Sequence, residues 1–355
     1  MTRPARIKTT CIGAYPKPGF VTLPDWFSAN DPSLLQGVTR SYGDAVASLS
    51  EDALEEMLLR GVGAVIRDQV DAGIDIPTDG EIPRENYLHY HCRHLDGISF
   101  DELTRRALRD EAYSAAVPTW VGPIAPKEHF LPQDFVRARA CTERPVKMTI
   151  PGPLSLAEST ADAYYFDSRK LGAALAEAIN VEVRALAAAG CKHIQIDEPV
   201  FARLPDRALS HGIDDLERCF HGVPRQVERI VHICCGYPYA LDQPDYPKAP
   251  LSNYYRLARA LDEAQIDAVS IEDAHRPNDL RLLEEFTVTK VLLGVVKIAS
   301  SKVESAEDIT MRLKRATEHI DRHRLEAAPD CGLGYLGRDL ARQKLACMCA
   351  AAARV

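Results

Sequence analysis

Residues 168–200 read SRKLGAALAEAINVEVRALAAAGCKHIQIDEPV, and the fold turns on this stretch. Its first part is a helical run that stops at Gly190, where a chain leaving a helix favours a residue without a Cβ. HIQIDEPV (193–200) follows at once. It is short and nearly continuously apolar, as a strand buried on both faces of a parallel sheet must be, and it ends on two acids, Asp197 and Glu198. Helix, glycine, buried strand and polar tip together make one unit of a β/α alternation.

The unit recurs along the chain. Further strands are expected at TTCIGAYP (9–16), IDIPTDGE (74–81), PVKMTIPGP (145–153), RIVHICCG (229–236), DAVSIED (267–273), VLLGVVKI (291–298) and EAAPDCGL (326–333). Helical stretches at 52–73, which also ends in a glycine, and 305–323 alternate with them. The pattern predicts an α/β protein: a single (β/α)8 TIM barrel over residues 1–355 with a long insert after strand 2. The last strand is the least regular, because it contains Pro329. A doubly wound open sheet is the alternative, but no glycine-rich phosphate fingerprint follows the first strand. The insert, 82–144, is rich in His, Arg and Tyr (ENYLHYHCRHLDG, 85–97) and reads as a substrate wall or lid. A second long connection, 237–255, follows the fifth strand.

Composition narrows the function. With 355 residues and a net charge of -8, and with no Lys/Arg stripe, the chain lacks the footprint of a nucleic-acid binder. No apolar run approaches the ~20 residues of a membrane span. The opening MTRPARIKTT has basic residues without an apolar stretch behind them, so it is not a secretory signal and the expected location is the cytoplasm. Ten cysteines in such a chain read as reduced thiols, core residues or metal ligands rather than disulfides.

Barrel enzymes place their chemistry where strands end. Here the expected strands end in Asp79 and Glu81, Asp197 and Glu198, His232 and Cys234, Glu272 and Asp273, and Asp330 and Cys331. One such tip is a cap or a solvated rim; five on one face are a site. In RIVHICCGYP (229–238), His232 and Cys234 are two apart and face the same side of a strand, with Cys235 on the other. Glu272 and Cys331, chosen by topology alone, complete a tetrahedral set of one imidazole, two thiolates and one carboxylate, which suits Zn²⁺. A core histidine among scattered buried cysteines is the alternative for each residue singly.

These segments resemble the catalytic C-terminal barrel of cobalamin-independent methionine synthase and its shorter relatives. The matching pieces are TTCIGAYPKP (9–18), TDGEIPREN (78–86), MTIPGPLSL (148–156), QIDEPV (195–200), HICC (232–235), SIED (270–273) and PDCGLG (329–334), in the family's order. The resemblance implies one (β/α)8 barrel with zinc on His232, Cys234, Glu272 and Cys331. It places Glu81 and Asp197 at the amino group of homocysteine, and Ile12, Gly13, Ala14 and Ser300 at the substrate. It implies a small-molecule thiol and a methyl donor as partners. A thiol with a pKa near 8.5 is mostly protonated at neutral pH, and zinc removes the proton to make a nucleophile.

The chain departs from the family pattern in three places. Ala14 replaces the serine of the I-G-S motif. VKIASS (296–301) replaces the D-I-H-S stretch whose histidine protonates the departing folate, leaving Ala299 at that position. AESTADAYYF (157–166) supplies Tyr164, Tyr165 and Phe166 instead of the tryptophan near the pterin. Without the acid, a tertiary amine is a poor leaving group, which weakens the case for methylfolate and leaves the donor open between methylfolate, a methylcorrinoid with a corrinoid protein as partner, and another donor. His275, Lys297 or a tyrosine of the 237–255 loop could replace the acid; His275 could equally be a solvated loop residue. An epoxide–thiol transferase on the same zinc, a barrel with structural zinc, and a metal-free decarboxylase of the related porphyrin-binding barrels are the competing readings. The four ligand matches count against the last.

Overall fold

The computed structural model describes residues 6–28, 35–108, 113–238, 240–243 and 246–355. Outside them fall the first five residues of the basic N-terminus, residues 109–112 of the insert, and Tyr239, Pro244 and Asp245 of the 237–255 loop. Ten strands are found among the described residues: β1 (Lys8–Thr9), β2 (Leu95–Leu108), β3 (Tyr113–Pro126), β4 (Lys147–Pro151), β5 (Ala161–Asp162), β6 (His193–Asp197), β7 (Glu228–Ile233), β8 (Ala268–Ile271), β9 (Lys290–Val296) and β10 (Leu325–Pro329).

Seven of them form one all-parallel sheet in the order β1-β10-β9-β8-β7-β6-β4. First and last strands are neighbours, so the sheet curls, and both its edges meet the segment 76–78. That segment is the point at which the sequence expectation fails. Residues 74–81 form no strand; they make single parallel bridges, Thr10 to Ile76 on one side and Thr78 to Lys147 on the other. The cause is local. Pro77 has no N–H for a ladder and offers only its carbonyl, which accepts from Lys147 N at 2.9 Å. Gly80 and Glu81 then turn away with φ of 70° and 57°. The predicted first strand likewise shrinks to Lys8–Thr9. Pro329 does enter β10, at its very end and with a register shift beside it.

The helices behave as their caps dictate. Glu51–Ala72 starts on Ser50, whose hydroxyl accepts from Ala53 N, carries Glu51 and Asp52 against its positive end, and stops at Gly73 with φ 105°. Ser168–Ala188 starts on Asp167, and Gly190 follows with φ 98°. No helix among the described residues is long and apolar enough to cross a membrane.

Inside the curled sheet the period of two sorts side chains into layers. An apolar ring of Ile12, Ile230, Ala268, Leu292 and Ala328 fills the middle. Two residues nearer the strand starts lie charged groups, where Glu228 takes His193 Nδ1 at 2.7 Å and also pairs with Lys290. Two residues toward the strand ends lie Asp197, His232 and Ser270. The apolar ring thus forms the floor beneath the strand-end face.

The insert is not a loop. Its core is an antiparallel hairpin of β2 and β3, to which β5 adds in parallel. Arg106 ties it to the sheet's helical layer by donating to Ala157 O at 2.9 Å, and the buried indole of Trp120 donates to Thr160 Oγ1 at 2.8 Å. Tyr165 braces the far strand, its hydroxyl accepting from Ile124 N.

Candidate metal centre and substrate cavity

His232 is the next-to-last residue of β7, Cys234 follows that strand, and Cys331 lies two residues beyond β10. Although two strands separate β7 from β10, the curl brings one ligand atom from each of the three within 4.8 Å of one another. His232 Nε2 lies 3.3 Å from Cys331 Sγ. The other ring nitrogen, Nδ1, lies 3.0 Å from Ser270 Oγ, and β8 is registered so that Ser270 stands directly opposite His232. Ser270 thereby fixes the ring and leaves Nε2 for a metal, as second partners of metal-binding histidines do. The hydrogen bond from Cys331, helped by His232, holds Cys234 well below the ordinary thiol range, and the same contact with burial holds Cys331 well above it. One imidazole and two sulfurs fit Zn²⁺ better than a hard cation.

Glu272, the fourth residue expected at the metal, does not join this group. Its carboxylate is buried one residue past β8, where Oε1 takes Lys248 Nζ at 2.7 Å and Oε2 takes the N–H of Cys235 at 3.1 Å. Cys235 itself packs in the main core, facing away from Cys234 as the strand period requires.

The cluster opens into a cavity of about 490 Å³. Ile12, Gly13, Ala14, Glu81 and Asp197 line it, as the sequence reading expects of substrate residues. Glu81 sits in the left-handed region, a costly conformation for a side-chain-bearing residue. Its Oε1 accepts from Thr149 Oγ1 at 2.9 Å and lies 3.3 Å from Arg84 Nη1. Burial nevertheless pushes its pKa up to about 7, with Asp197 and Asp79 adding to the rise against Arg84. Asp197 rises to about 6, again chiefly by burial. Gly13 makes the arrangement possible, since a Cβ there would stand 2.5 Å from Glu81 Oε1.

Other strand-tip acids hold the scaffold. Glu198 turns back to cap the helix Pro153–Ser159, taking Leu154 N, Ser155 N and Ser155 Oγ. Asp79 takes the N–H of Glu81, and Asp273 pairs with Arg312. Asp330 accepts the N–H groups of Asp273, Ala274 and His275 and the His275 ring. His275 is therefore bound to Asp330, and neither it nor Ser300 lines the cavity. Lys297 is exposed, while Ala299 is buried.

Several cavity residues escape sequence reasoning. The hairpin presents Ala107, Ala115, Ala116 and Val117 as one wall. Trp26, Phe27 and Tyr87 form another, joined by Tyr237, one of the 237–255 loop tyrosines that the sequence singles out; the Trp26 and Tyr237 rings stack at 6.1 Å, and Tyr237 donates to Gly332 O. Arg203 and Lys248 also reach it. A signal existed for one of these: Trp26 is one of only two tryptophans in the chain.

Comparison with known proteins gives a consistent picture. Residues 39–234 and 250–354 match the family described as cobalamin-independent synthase, catalytic domain. A methionine synthase of Saccharolobus solfataricus is 30% identical over 98% of this chain and 94% of its own length. One from Thermococcus kodakarensis is 30% identical over 96% of this chain and 90% of its own. Among solved structures, a B12-independent methionine synthase from Shewanella sp. W3-18-1, in complex with selenomethionine, superposes with a TM-score of 0.85 at 29% identity, over 98% of this chain and 97% of that one.

Proposed function

Because the chain belongs to the cobalamin-independent methionine synthase family, we propose that it is a methyltransferase that moves a methyl group to the thiol of homocysteine at a Zn²⁺ site held by His232, Cys234 and Cys331. One observation carries the proposal: these three side chains converge within 4.8 Å at a cavity that also exposes Glu81 and Asp197. Bound there, Zn²⁺ would act as the Lewis acid that keeps the substrate thiol deprotonated at neutral pH.

The chain's own residues supply the rest. Burial makes the ionised forms of Glu81 and Asp197 costly, and an ammonium group between them offsets that cost. Gly13 leaves the room this requires. The aromatic wall and the hairpin exclude water from the thiolate. The arginines of the insert, which would favour an anionic acceptor, are committed elsewhere: Arg84 to Glu81 and Thr149, Arg93 to Glu85, Arg106 to helix carbonyls, while Arg105 is exposed. This supports an ammonium-bearing acceptor over a sulfonate.

Ala299 brings no proton to the donor side, so the reading favours a donor whose leaving group departs unprotonated, such as a methylcorrinoid carried by a partner protein or a methyl sulfonium. The same reading takes residues 1–355 as one cytoplasmic catalytic domain, segment 74–78 as the eighth stave of a closed (β/α)8 barrel, and the 82–144 insert as its lid. The test is zinc-loaded protein with homocysteine and, in turn, methylfolate, methylcobalamin and S-methylmethionine. Methionine from the latter two alone is the expected result; methionine from methylfolate alone refutes the donor argument, and none from any donor refutes the activity.

A further inference from the structure

Resting on the methyltransferase reading, we propose that Arg203 determines donor specificity: the methyl donor carries an anionic group, a carboxylate or a phosphate, and the Arg203 guanidinium binds it. Two strong cations line the cavity among the described residues, Lys248 and Arg203. Lys248 Nζ lies 2.7 Å from Glu272 Oε1. The Arg203 side chain is half-buried, and its guanidinium has no hydrogen bond or ion pair among the described residues. A guanidinium presents a rigid fork of donors that matches a carboxylate or a phosphate, and here the fork has been left without its acceptor.

The backbone that carries it is fixed. Phe201 and Ala202 are fully buried, and Ala202 O accepts from the Asn253 side chain at 2.8 Å. Two turns lead from the end of β6 to Arg203: Phe201 N–H donates to Glu198 O at 3.1 Å, and Arg203 N–H to Val200 O at 3.0 Å. Asp197 thus stays at the sheet while Arg203 stands farther along the connection. There the chain meets the foot of the hairpin, where Arg207 pairs with Glu158, and Arg106 of β2 lies 3.9 Å from the other oxygen of that acid. Three acids line the cavity among the described residues. Glu81 and Asp197 belong to the sheet end, and Glu158 already lies between two arginines, so none of them neutralises Arg203. The cavity is therefore bipolar, negative at the sheet and positive toward the hairpin. An amino acid whose ammonium takes the negative end and whose thiol meets His232, Cys234 and Cys331 leaves the hairpin side to the donor. An anion on that donor finds its complement in Arg203.

The experiment offers the unaltered, zinc-loaded chain, Arg203→Gln and Arg203→Lys two pairs of methyl donors. Methylcobalamin is paired with methylcobinamide, which lacks the phosphate-bearing nucleotide, and S-methylmethionine with trimethylsulfonium, which lacks the carboxylate. The unaltered chain should favour the anion-bearing member of one pair by about 10–100-fold in kcat/KM, the scale of a hydrogen bond to a charged group, and that pair identifies the anion. Arg203→Gln should erase the preference by raising KM for the anion-bearing donor alone, and Arg203→Lys should keep part of it. Metal content, and homocysteine affinity titrated without a donor, should match the unaltered chain. No preference in either pair overturns the proposal, as does an equal loss on both members in Arg203→Gln. A tenfold or greater fall in homocysteine affinity overturns it too, because it gives Arg203 to the carboxylate of the acceptor. If no donor yields methionine, the activity reading fails separately, and equilibrium dialysis of the same four compounds decides the role of Arg203. A loss in Arg203→Gln confined to an anion-bearing compound supports it, and equal binding by the two chains overturns it.

Discussion

Replacing Glu81 with glutamine tests the substrate end of the cavity by two independent measurements. Glu81 has an ordinary pKa of 4.5 and a folded-state value of about 7, because burial outweighs Arg84 and the Thr149 hydroxyl. The sign follows from proton binding. Below pH 4.5 the group is protonated in both folded and unfolded chains, and its stabilisation is fully present. Between pH 4.5 and about 7 the folded protein holds a proton that the unfolded chain has released, so stability falls by about 1.4 kcal/mol per pH unit. Over the whole interval the loss is about 3 kcal/mol. Glu81→Gln mimics the protonated form and keeps an acceptor for Thr149 and Arg84. It should therefore match the unaltered protein near pH 5 and exceed its stability by about 3 kcal/mol at pH 8, read by urea unfolding at each pH. Homocysteine binding should change in the opposite sense. An ammonium needs the ionised carboxylate, so in the unaltered protein affinity should rise tenfold per pH unit up to about 7 and then level. In Glu81→Gln the rise between about pH 6 and 7 should vanish, leaving only the dependence that Asp197 imposes below about 6, with affinity at pH 8 reduced by the 2–5 kcal/mol typical of a buried charge pair losing one partner. A stability difference that does not vary with pH would refute the account of Glu81, and a variant that binds homocysteine normally at pH 8 would remove it from the substrate site.

Three further outcomes are expected. Gly13→Ala places a methyl 2.5 Å from Glu81 Oε1, and the displaced carboxylate should raise the homocysteine KM about 100-fold while the metal content stays unchanged. Ser270→Ala removes the hydroxyl that holds His232 Nδ1 and should weaken metal binding about 10–100-fold in competition with a chelator, with the fold intact by circular dichroism. Glu198→Ala leaves Leu154 N, Ser155 N and the Ser155 hydroxyl buried without their acceptor and should lower unfolding stability by about 2–4 kcal/mol, although the residue belongs to the IDEP motif and ends a strand beside Asp197.

The contrast between Asp197 and Glu198 marks how far sequence reasoning reached. The alternation of buried strands was legible because a parallel sheet needs apolar side chains on both faces, and His232 and Cys234 were legible because two residues restore a strand's facing. Cys331 came from the expected order of strands, and the curl of the sheet brings it beside His232. The aim of an acid beyond a strand end has no such periodicity. Asp197 faces the cavity while Glu198 bonds a helix start, and only the path of each loop decides. The same limit hid the Lys248–Glu272 pair, whose members are 24 residues apart on different connections. The strands of the insert escaped the sequence reading for another reason. SFDELTRRAL (99–108) has an exposed strand's composition, with charges that mask its alternation, and its partner strand supplies the apolar face. Segment 74–78 failed because Pro77 forbids the ladder that its apolar neighbours suggest.

The hairpin of β2 and β3 has a consequence for how such an enzyme can change. The residues that would bind metal lie at the tips of the parallel sheet, with Asp197 beside them and Glu81 on the segment that bridges its edges, whereas the wall of Ala107, Ala115, Ala116 and Val117 belongs to a separate ribbon fastened by Arg106 and Trp120. Exchanging methyl-sized side chains on that ribbon for larger or polar ones would reshape the space open to an incoming alkyl group while the sulfur-activating apparatus stayed as it is. On the proposed reading, selectivity and reactivity would be encoded on different parts of the chain, so new donors could be explored by mutating one ribbon without rebuilding the metal centre.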